Sequence, residues 1–495
     1  MSLDKKKQIK KIISICIIAF ICSSFLVHAP AITFTEHTIT SSLPGVINVA
    51  VGDIDLDGYQ DIVAVGRDPT SGYIAWYKNN SDYTGWTEYI IYNVGGNRMV
   101  RLDDCDQDGD LDVFVSNYPN DRIDVFECPS DPTSTWTRHA VTTTDVDPGY
   151  IFWVDDFNED GYPDVYGSSP YGNKLRWFRN DGSFSFTSFI VGSPSGARGC
   201  AKGDFDGDGD MDVAGAMGGS PYTIYWFEND ISGGTTSNWG STTITSGVLS
   251  EPTGQYAMDV DGDGDMDLVA KSLANTDLYW FENINNGSSW DAHQITSNLL
   301  GSTYQIWGGD VDLDGDNDIG CTNLSGDNAF WLENTNGDGS AWSNRIIKQG
   351  MDDTRDILFS EYNVSGVVDV FVCSYGDNTL YWFESNLTAP ASSPSTNSSL
   401  SINSINGQSN NSYDGDNSKT VTWNKINDTL YYNLQISNNT AFTDLTHNIT
   451  DINESNYGVD YYEYISENVT YVSFNVSTSV SWGWKYYRVR AYVYE

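Results

Sequence analysis

The chain has 495 residues, 39% of them hydrophobic and 14% aromatic, and carries a formal net charge of −43. That charge repels nucleic-acid phosphates and anionic lipid, so no nucleic-acid partner is expected. Seven cysteines, two of them (Cys16, Cys22) near the N-terminus and five (Cys105, Cys128, Cys200, Cys321, Cys373) scattered without a Cys-x-x-Cys pair, form neither a disulfide framework nor a zinc site.

The chain begins with a targeting segment. Lys5, Lys6, Lys7, Lys10 and Lys11 precede an apolar run from Ile12 to Val27, and Ala29-Pro30-Ala31 offers small residues for cleavage. This is the pattern of a secretory signal peptide over 1–31, and the run is short for a bilayer span. An uncleaved anchor is the alternative, and it is the one route by which a membrane would enter. Loss of the signal removes five Lys and one Asp and takes the net charge from −43 to −47.

Next comes FTEHTITS (34–41), a shape that recurs as WTEYIIYN, WTRHAVTT, FTSFIVGS, WGSTTITS, WDAHQITS and WSNRIIKQ. Each later copy closes a longer unit. Seven units are anchored by DIDLDGYQD (53–61), DCDQDGDLD (104–112), DFNEDGYPD (156–164), DFDGDGDMD (204–212), DVDGDGDMD (259–267), DVDLDGDND (310–318) and EYNVSGVVD (361–369), spaced by 51, 52, 48, 55, 51 and 51 residues. Each unit holds four strand-like pieces: a short run before the motif, a second starting at its last Asp, an aromatic third such as LYWFEN, and a fourth in the opening shape. Four antiparallel strands per period of this length describe a propeller blade. The seventh unit stops at LYWFESN (380–386) without a fourth strand, and residues 34–41 supply one from the other end of the chain. The expected fold is all-β: a seven-bladed β-propeller over 32–386, its last blade closed by the N-terminal strand so that no edge is left open, followed by a β-sandwich.

Two aromatic series accompany the repeat. Trp76, Trp177, Trp226, Trp280, Trp331 and Trp382 share one offset, and Trp86, Trp136, Trp239, Trp290 and Trp342 share another. Recurrence in nearly every blade argues for packing between blades. His37, His139 and His293 share an offset in the fourth strand and read as structural.

The anchor motif carries the chemistry. Its form is D-x-D-x-D-G-x-x-D, with carboxylates at positions 1, 3, 5 and 9 and a Gly at position 6 that allows a sharp bend. Position 7 (Tyr59, Asp110, Tyr162, Asp210, Asp265 or Asp316) is expected to offer its backbone carbonyl. Carboxylates this crowded call for a divalent cation, and all-oxygen ligands in flexible geometry favour Ca²⁺ over Mg²⁺. An EF-hand would need Glu at position 12, where Ala64, Val115, Gly167, Gly215, Ala270 and Cys321 stand instead. The seventh loop (Glu361, Asn363, Ser365, Gly366, Asp369) is degenerate, and Asn363-Val364-Ser365 is a glycosylation sequon, so a weak or empty site is expected there.

These units resemble FG-GAP/VCBS repeats, the blades of the integrin α-subunit propeller and of many prokaryotic surface proteins. The resemblance covers residues 34–386. It implies a calcium loop between the first and second strands of each blade, with structural ions on one face of the disc. The ligands so implied are Asp53, Asp55, Asp57 and Asp61 in the first blade and Asp104, Asp106, Asp108 and Asp112 in the second. In the third they are Asp156, Asn158, Asp160 and Asp164, and in the fourth Asp204, Asp206, Asp208 and Asp212. The fifth offers Asp259, Asp261, Asp263 and Asp267, and the sixth Asp310, Asp312, Asp314 and Asp318. About six structural Ca²⁺ ions are expected.

Residues 387–399 read as a Ser/Pro/Thr-rich linker. Beyond it, residues 400–495 alternate as strands (KTVTWNKIN, LYYNLQIS, YVSFNVS, WKYYRVRAYV) and, through Trp423 and Tyr487-Arg488-Val489-Arg490-Ala491, resemble a fibronectin type III domain. The sequence ends where the last strand of that sandwich would start. Nine of thirteen N-x-S/T sequons lie from Asn386 onward, as in a glycosylated stalk. The expected function is a secreted or surface calcium-binding module for an extracellular glycan or protein, with Tyr73, Tyr118, Tyr171, Tyr222 and Tyr375 as contact candidates. A polysaccharide lyase and a structural envelope component are the alternatives. No nucleophile–base pair stands out, so no enzyme is expected.

Overall fold

The computed structural model describes residues 32–388, except for the short stretches 144–150, 170–172, 194–195, 198, 218–219, 231–238, 273, 275–276, 297–305, 324–325 and 364–365. Beyond 388 it describes the backbone of six strands between 402 and 493. The segment read as a signal peptide and most of the expected linker lie outside the described residues.

Each repeat folds into one four-stranded antiparallel sheet. The first blade runs Val46–Gly52, Asp61–Gly66, Ile74–Asn79 and Trp86–Tyr92, in that spatial order. Residue type follows position. The second strand, DIVAVG, is buried throughout because both its faces meet other blades, and branched residues fill that space. The fourth strand, WTEYIIY, lies at the rim and stays half-exposed. Five more sheets repeat the order. The seventh comprises Thr354–Ser360, Asp369–Ser374 and Thr379–Ser385, with Phe34–Thr40 as its outer strand. Phe34 pairs with Ser385 and Thr38 with Tyr381. Beyond the ladder, Asn386 donates its backbone N–H to the Thr33 carbonyl at 2.9 Å, and Thr33 donates to Asn386 Oδ1 at 2.6 Å. The protein is all-β, with seven blades and a borrowed closing strand, as the repeat predicts.

The inner strands meet around the axis. Asn48 Nδ2 donates to Asp356 Oδ2 of the seventh blade at 2.6 Å, and Asn48 Oδ1 accepts the Val100 N–H of the second at 2.7 Å. Trp153, Tyr256 and Trp307, from the third, fifth and sixth blades, meet at tilted or edge-on angles with ring centroids 5.2–6.2 Å apart. Arg101 of the second blade lies over Trp153 at 4.8 Å and Trp307 at 5.8 Å. Strands of non-adjacent blades meet only across the axis, so these groups fill the hub.

The hydrophobic core lies between blades. Trp76 and Val63 of the first blade, for example, cluster with Val113, Phe126 and Trp136 of the second. Trp76, Trp177, Trp331 and Trp382 are among the largest fully buried side chains. A rim Trp reaches back to the preceding blade: Trp86 meets Trp382 edge-on at 6.0 Å, and Trp239 meets Trp177 at 6.2 Å. His37 stacks on Trp382 and His293 on Trp280, at 4.2 and 4.5 Å. All five cysteines after the signal are buried and free.

The six C-terminal strands form two three-stranded antiparallel sheets. One places Ser418–Lys425 between Ile402–Asn406 and Thr470–Ser477; the other places Thr429–Ser437 between Leu445–Ile452 and Tyr486–Val493. Among the described residues no helix is long and apolar enough to cross a membrane.

Trp382 joins the closing strand, its own sheet and the first blade. Trp382→Ala should destabilise the protein by about 3–5 kcal/mol, the cost of deleting a buried Trp. The shift in urea midpoint measures it, and an unchanged midpoint would contradict this account of closure.

Candidate metal centres on one face

All seven motifs lie in the hairpin between the first and second strands of their blades, so they gather on one face of the disc. The local fold follows from two residues with positive φ. Gly58 has φ of +92°, and the equivalent glycines in the next five blades lie between +94° and +101°. Position 4 is left-handed too: Leu56, Gln107, Glu159 and Leu313 lie at +56° to +64°, whereas the fourth and fifth blades place Gly207 and Gly262 there. A branched or long side chain in that region costs roughly 1–2 kcal/mol, which the DGDGD variants avoid. Sequence reasoning singled out position 6 and missed position 4.

The loops are closed by their own backbone. Asp53 accepts the Asp57 N–H at 3.0 Å and the Gly58 N–H at 2.9 Å, and Asp57 accepts the Tyr59 N–H at 3.0 Å. The second blade repeats this through Asp104 and Asp108, and the sixth through Asp310 and Asp314. In the fourth and fifth, Asp204 and Asp259 reach the N–H groups of positions 4 and 6.

This draws acidic oxygens together. Five groups each place three carboxylate oxygens within 4.8 Å of one another: Asp53, Asp55 and Asp57; Asp104, Asp106 and Asp108; Asp204, Asp206 and Asp212; Asp259, Asp261 and Asp263; and Asp310, Asp312 and Asp318. The third blade substitutes Asn158, which is 5% exposed. Several buried oxygens in these loops have no hydrogen-bond partner in the protein: Oδ1 of Asp55, Asp106, Asn158 and Asp312 at position 3, and Oδ1 of Asp110, Asp210 and Asp316 at position 7. Orphaned buried oxygens cost free energy unless a cation or water meets them. The donor set thus fits a hard dication. Position 7 also brings a side chain: Asp110, Asp210 and Asp316 each bury an oxygen there, whereas Asp265 accepts the Asn286 N–H at 3.1 Å. In the first blade Lys78 brings its own cation, bonding Asp55 and, at 2.8 Å, Asp57.

Position 9 has a second role. Asp61, Asp112, Asp164, Asp212, Asp267 and Asp318 are fully or almost fully buried. Oδ1 of Asp267 accepts the Asn283 N–H at 2.7 Å, while Oδ2 accepts the Val260 N–H at 2.9 Å. The pattern recurs with Asn79 and Ile54, Cys128 and Cys105, Asn229 and Phe205, and Asn334 and Val311. In the third blade Asp164 takes the Asn180 N–H and the Trp177 indole N–H instead. The Asn side chains then cross to the preceding blade. Nδ2 of Asn180, Asn229, Asn283 and Asn334 donates to the carbonyls of Cys105, Phe157, Phe205 and Val260 at 2.7–2.8 Å. Sequence reasoning missed this staple, although the Asn ending WYKN, WFRN, WFEN and WLEN signalled it.

The loops form a field of unneutralised charge. Burial, opposed by the backbone N–H bonds, pushes Asp318 up to about 9, Asp112, Asp164 and Asp267 to about 8, Asp212 to about 7 and Asp61 to about 6. Burial and then the neighbouring position-5 carboxylate lift Asp110, Asp210, Asp312 and Asp316 to about 7.

Of the other sequence candidates, Asn363 in the degenerate loop donates to Glu384 at 2.7 Å, and Asp369 accepts the Ser385 N–H at 2.8 Å; Ser365 of the sequon lies outside the described residues. Among the tyrosines, Tyr73 donates to Glu88 at 2.9 Å, Arg98 covers Tyr118 at 4.6 Å and Arg355 covers Tyr375 at 5.0 Å. Tyr222 is half-buried, and Tyr171 lies outside the described residues. His139 and His293 pair with Glu127 and Glu282, each at 2.7 Å.

A model for the FG-GAP-like repeat matches residues 53–115, 156–215 and 204–270. No curated protein matches the chain. Among solved structures, the PQQ-bound form of aldose sugar dehydrogenase from Streptomyces coelicolor is similar over 64% of this chain and 96% of that one, at 13% identity and a TM-score of 0.36, a likeness too remote to argue from.

The raised carboxyls fix a pH dependence. Their folded values lie above the ordinary 3.8, so without metal the folded state binds protons more tightly than the unfolded one. That contribution is complete below pH about 4 and is lost as pH rises through about 6 to 9. Melting temperature in chelator should fall across this window, and calcium should cancel or reverse the slope because it favours the ionised form. A chelated protein that grows more stable towards alkaline pH would contradict this.

Proposed function

The chain carries FG-GAP-like repeats on a seven-bladed propeller, and from that premise we propose that it is a secreted or surface-borne calcium-binding module that presents a rigid disc to an extracellular glycan or protein. One observation carries the reading: buried loop oxygens without protein partners, in loops that the backbone has already closed. The residues that would hold the ions are the acids at positions 1, 3, 5 and 9, with Asn158 in the third blade and with Asp110, Asp210, Asp265 and Asp316 beside them. A hard dication there would neutralise the crowded carboxylates and favour their ionised form.

The compartment fits the chemistry. Extracellular calcium modules work at roughly 10⁻⁴–10⁻³ M, so such loops fill outside a cell. The basic and apolar start of the chain supports export. The face opposite the motifs, free of the acidic loops, is the surface offered to a partner. The C-terminal sheets, one with its middle strand between the first and fifth and the other with its middle strand between the fourth and sixth, support a fibronectin-like stalk that carries the disc.

Calcium at a hundredfold excess over Kd should add about 2.7 kcal/mol per site, and the melting temperature should drop by many degrees in chelator. A glycan array and a pull-down with calcium-loaded protein, each repeated in chelator, test the binding role. Signals that vanish on chelation support it; melting indifferent to calcium would remove its basis.

A further inference from the structure

The six complete loops are not alike, and two positions change together. Position 7 is Asp in the second, fourth, fifth and sixth blades and Tyr in the first and third. The third-strand residue before the staple position is Glu127, Glu228, Glu282 or Glu333 in the first group and Lys78 or Arg179 in the second. Strand register places all six at the same point of their sheets, opposite Thr137, Gly240, Asp291, Ser343, Thr87 and Thr187.

Contacts distinguish the groups. Lys78 sets its ammonium between Asp55 and Asp57, where a bound cation would lie. Arg179 turns to Asp181 at 2.6 Å, beside a loop already short of a carboxylate at Asn158. The glutamates face the opposite way in charge: Glu127, Glu228, Glu282 and Glu333 add to the repulsion felt by Asp106, Asp206, Asp261 and Asp312. Partners fix two of them, His139 on Glu127 and His293 on Glu282 at 2.7 Å, and Arg345 holds Glu333 at 2.5 Å. With motif carboxylates at positions 1, 3, 5, 7 and 9 counted beside this residue, each loop of the first group carries a formal −6. The first blade sets four carboxylates against Lys78, −3, and the third has only three carboxylates, −3, with Arg179 paired to Asp181 beside them.

We infer that the third-strand position, together with position 7, divides the ring into two calcium classes. Four loops bind tightly, while the first binds only by displacing its built-in ammonium and the third only weakly. Ligand charge count tunes calcium affinity in oxygen-ligand loops, and an ammonium already seated between two ligands must leave before a metal can enter. The inference rests on the calcium reading above but makes a separate claim, that the six loops are unequal.

Calorimetric titration of the full chain with calcium, supported by native mass spectrometry to count ions, tests it. The expected isotherm has about four tight ions followed by about two weak ones. Lys78→Glu should raise the tight count by one, with affinity at that loop gained on the order of tenfold. Lys78→Gln, which removes the ammonium without adding charge, should gain part of that. Glu282→Lys should lower the tight count by one. Six equal sites, or a tight count unmoved by Lys78→Glu, would overturn the two classes while leaving calcium binding intact. No uptake by any variant would overturn the calcium reading itself and the inference with it.

Discussion

The rest of the structure depends on one buried carboxylate per blade. At the last position of each motif an Asp sits at the start of the second strand, sealed from solvent, and in five blades its oxygens are held by N–H groups from the hairpin and from the end of the third strand. A charge-assisted bond of this kind contributes about 1.5–3 kcal/mol, and loss of the acceptor would leave N–H groups buried and unpaired. The same carboxylate sets the mouth of the acidic loop, so folding and the proposed metal binding share a group. In the third to sixth blades the staple residue is an Asn whose side chain carries the constraint to the preceding blade, whereas Asn79 of the first blade bonds the Gln60 carbonyl of its own motif. In the second blade Cys128 stands in its place, with its thiol 4.0 Å from the Ile54 carbonyl.

The two faces of this arrangement oppose each other electrically. Burial favours neutral acids, while backbone bonds favour charged ones, and burial wins at every ninth position from Asp61 to Asp318. A positive charge near such a group would favour its ionised form. In the first blade Lys78 pairs with Asp55 and Asp57, which makes that loop an internal ion pair.

Much of this was legible in the sequence. A nine-residue motif at a nearly fixed period, four strand-like runs per period and a stray fourth strand at the N-terminus determined blade number and closure, because strand alternation and turn chemistry are local. The Trp series was legible as packing for the same reason. The hub was not. Arg101, Trp153, Tyr256 and Trp307, which meet there, share one offset, three residues before each motif, but the other blades carry Ala50, Ala201 and Leu358 at that offset, a series without a pattern until the ring brings the four together. The staple Asn was overlooked because a single Asn after an aromatic strand looks like an ordinary turn former. Position 7 read as indifferent to its side chain because both Tyr and Asp occur there; set beside the third-strand charge, the variation is ordered. Three of the contact tyrosines are engaged by Glu88, Arg98 or Arg355 in a way that only tertiary structure reveals.

The closing strand has a mechanical consequence. Phe34 lies beside Ser385, and Thr33 and Asn386 bond to each other, so the chain enters and leaves the propeller at the same end of one antiparallel pair. Tension applied between the two termini would peel that pair one rung at a time, the weakest way to load a ladder. Tension between the C-terminal tail and a partner gripped on the disc would reach the pair with no pull on the N-terminal strand, and the neighbouring strand, bonded on both sides, would share the strain with the whole sheet. The latch is therefore weak to a pull between the two ends of the chain and firm to a pull between the C-terminal tail and the body of the disc.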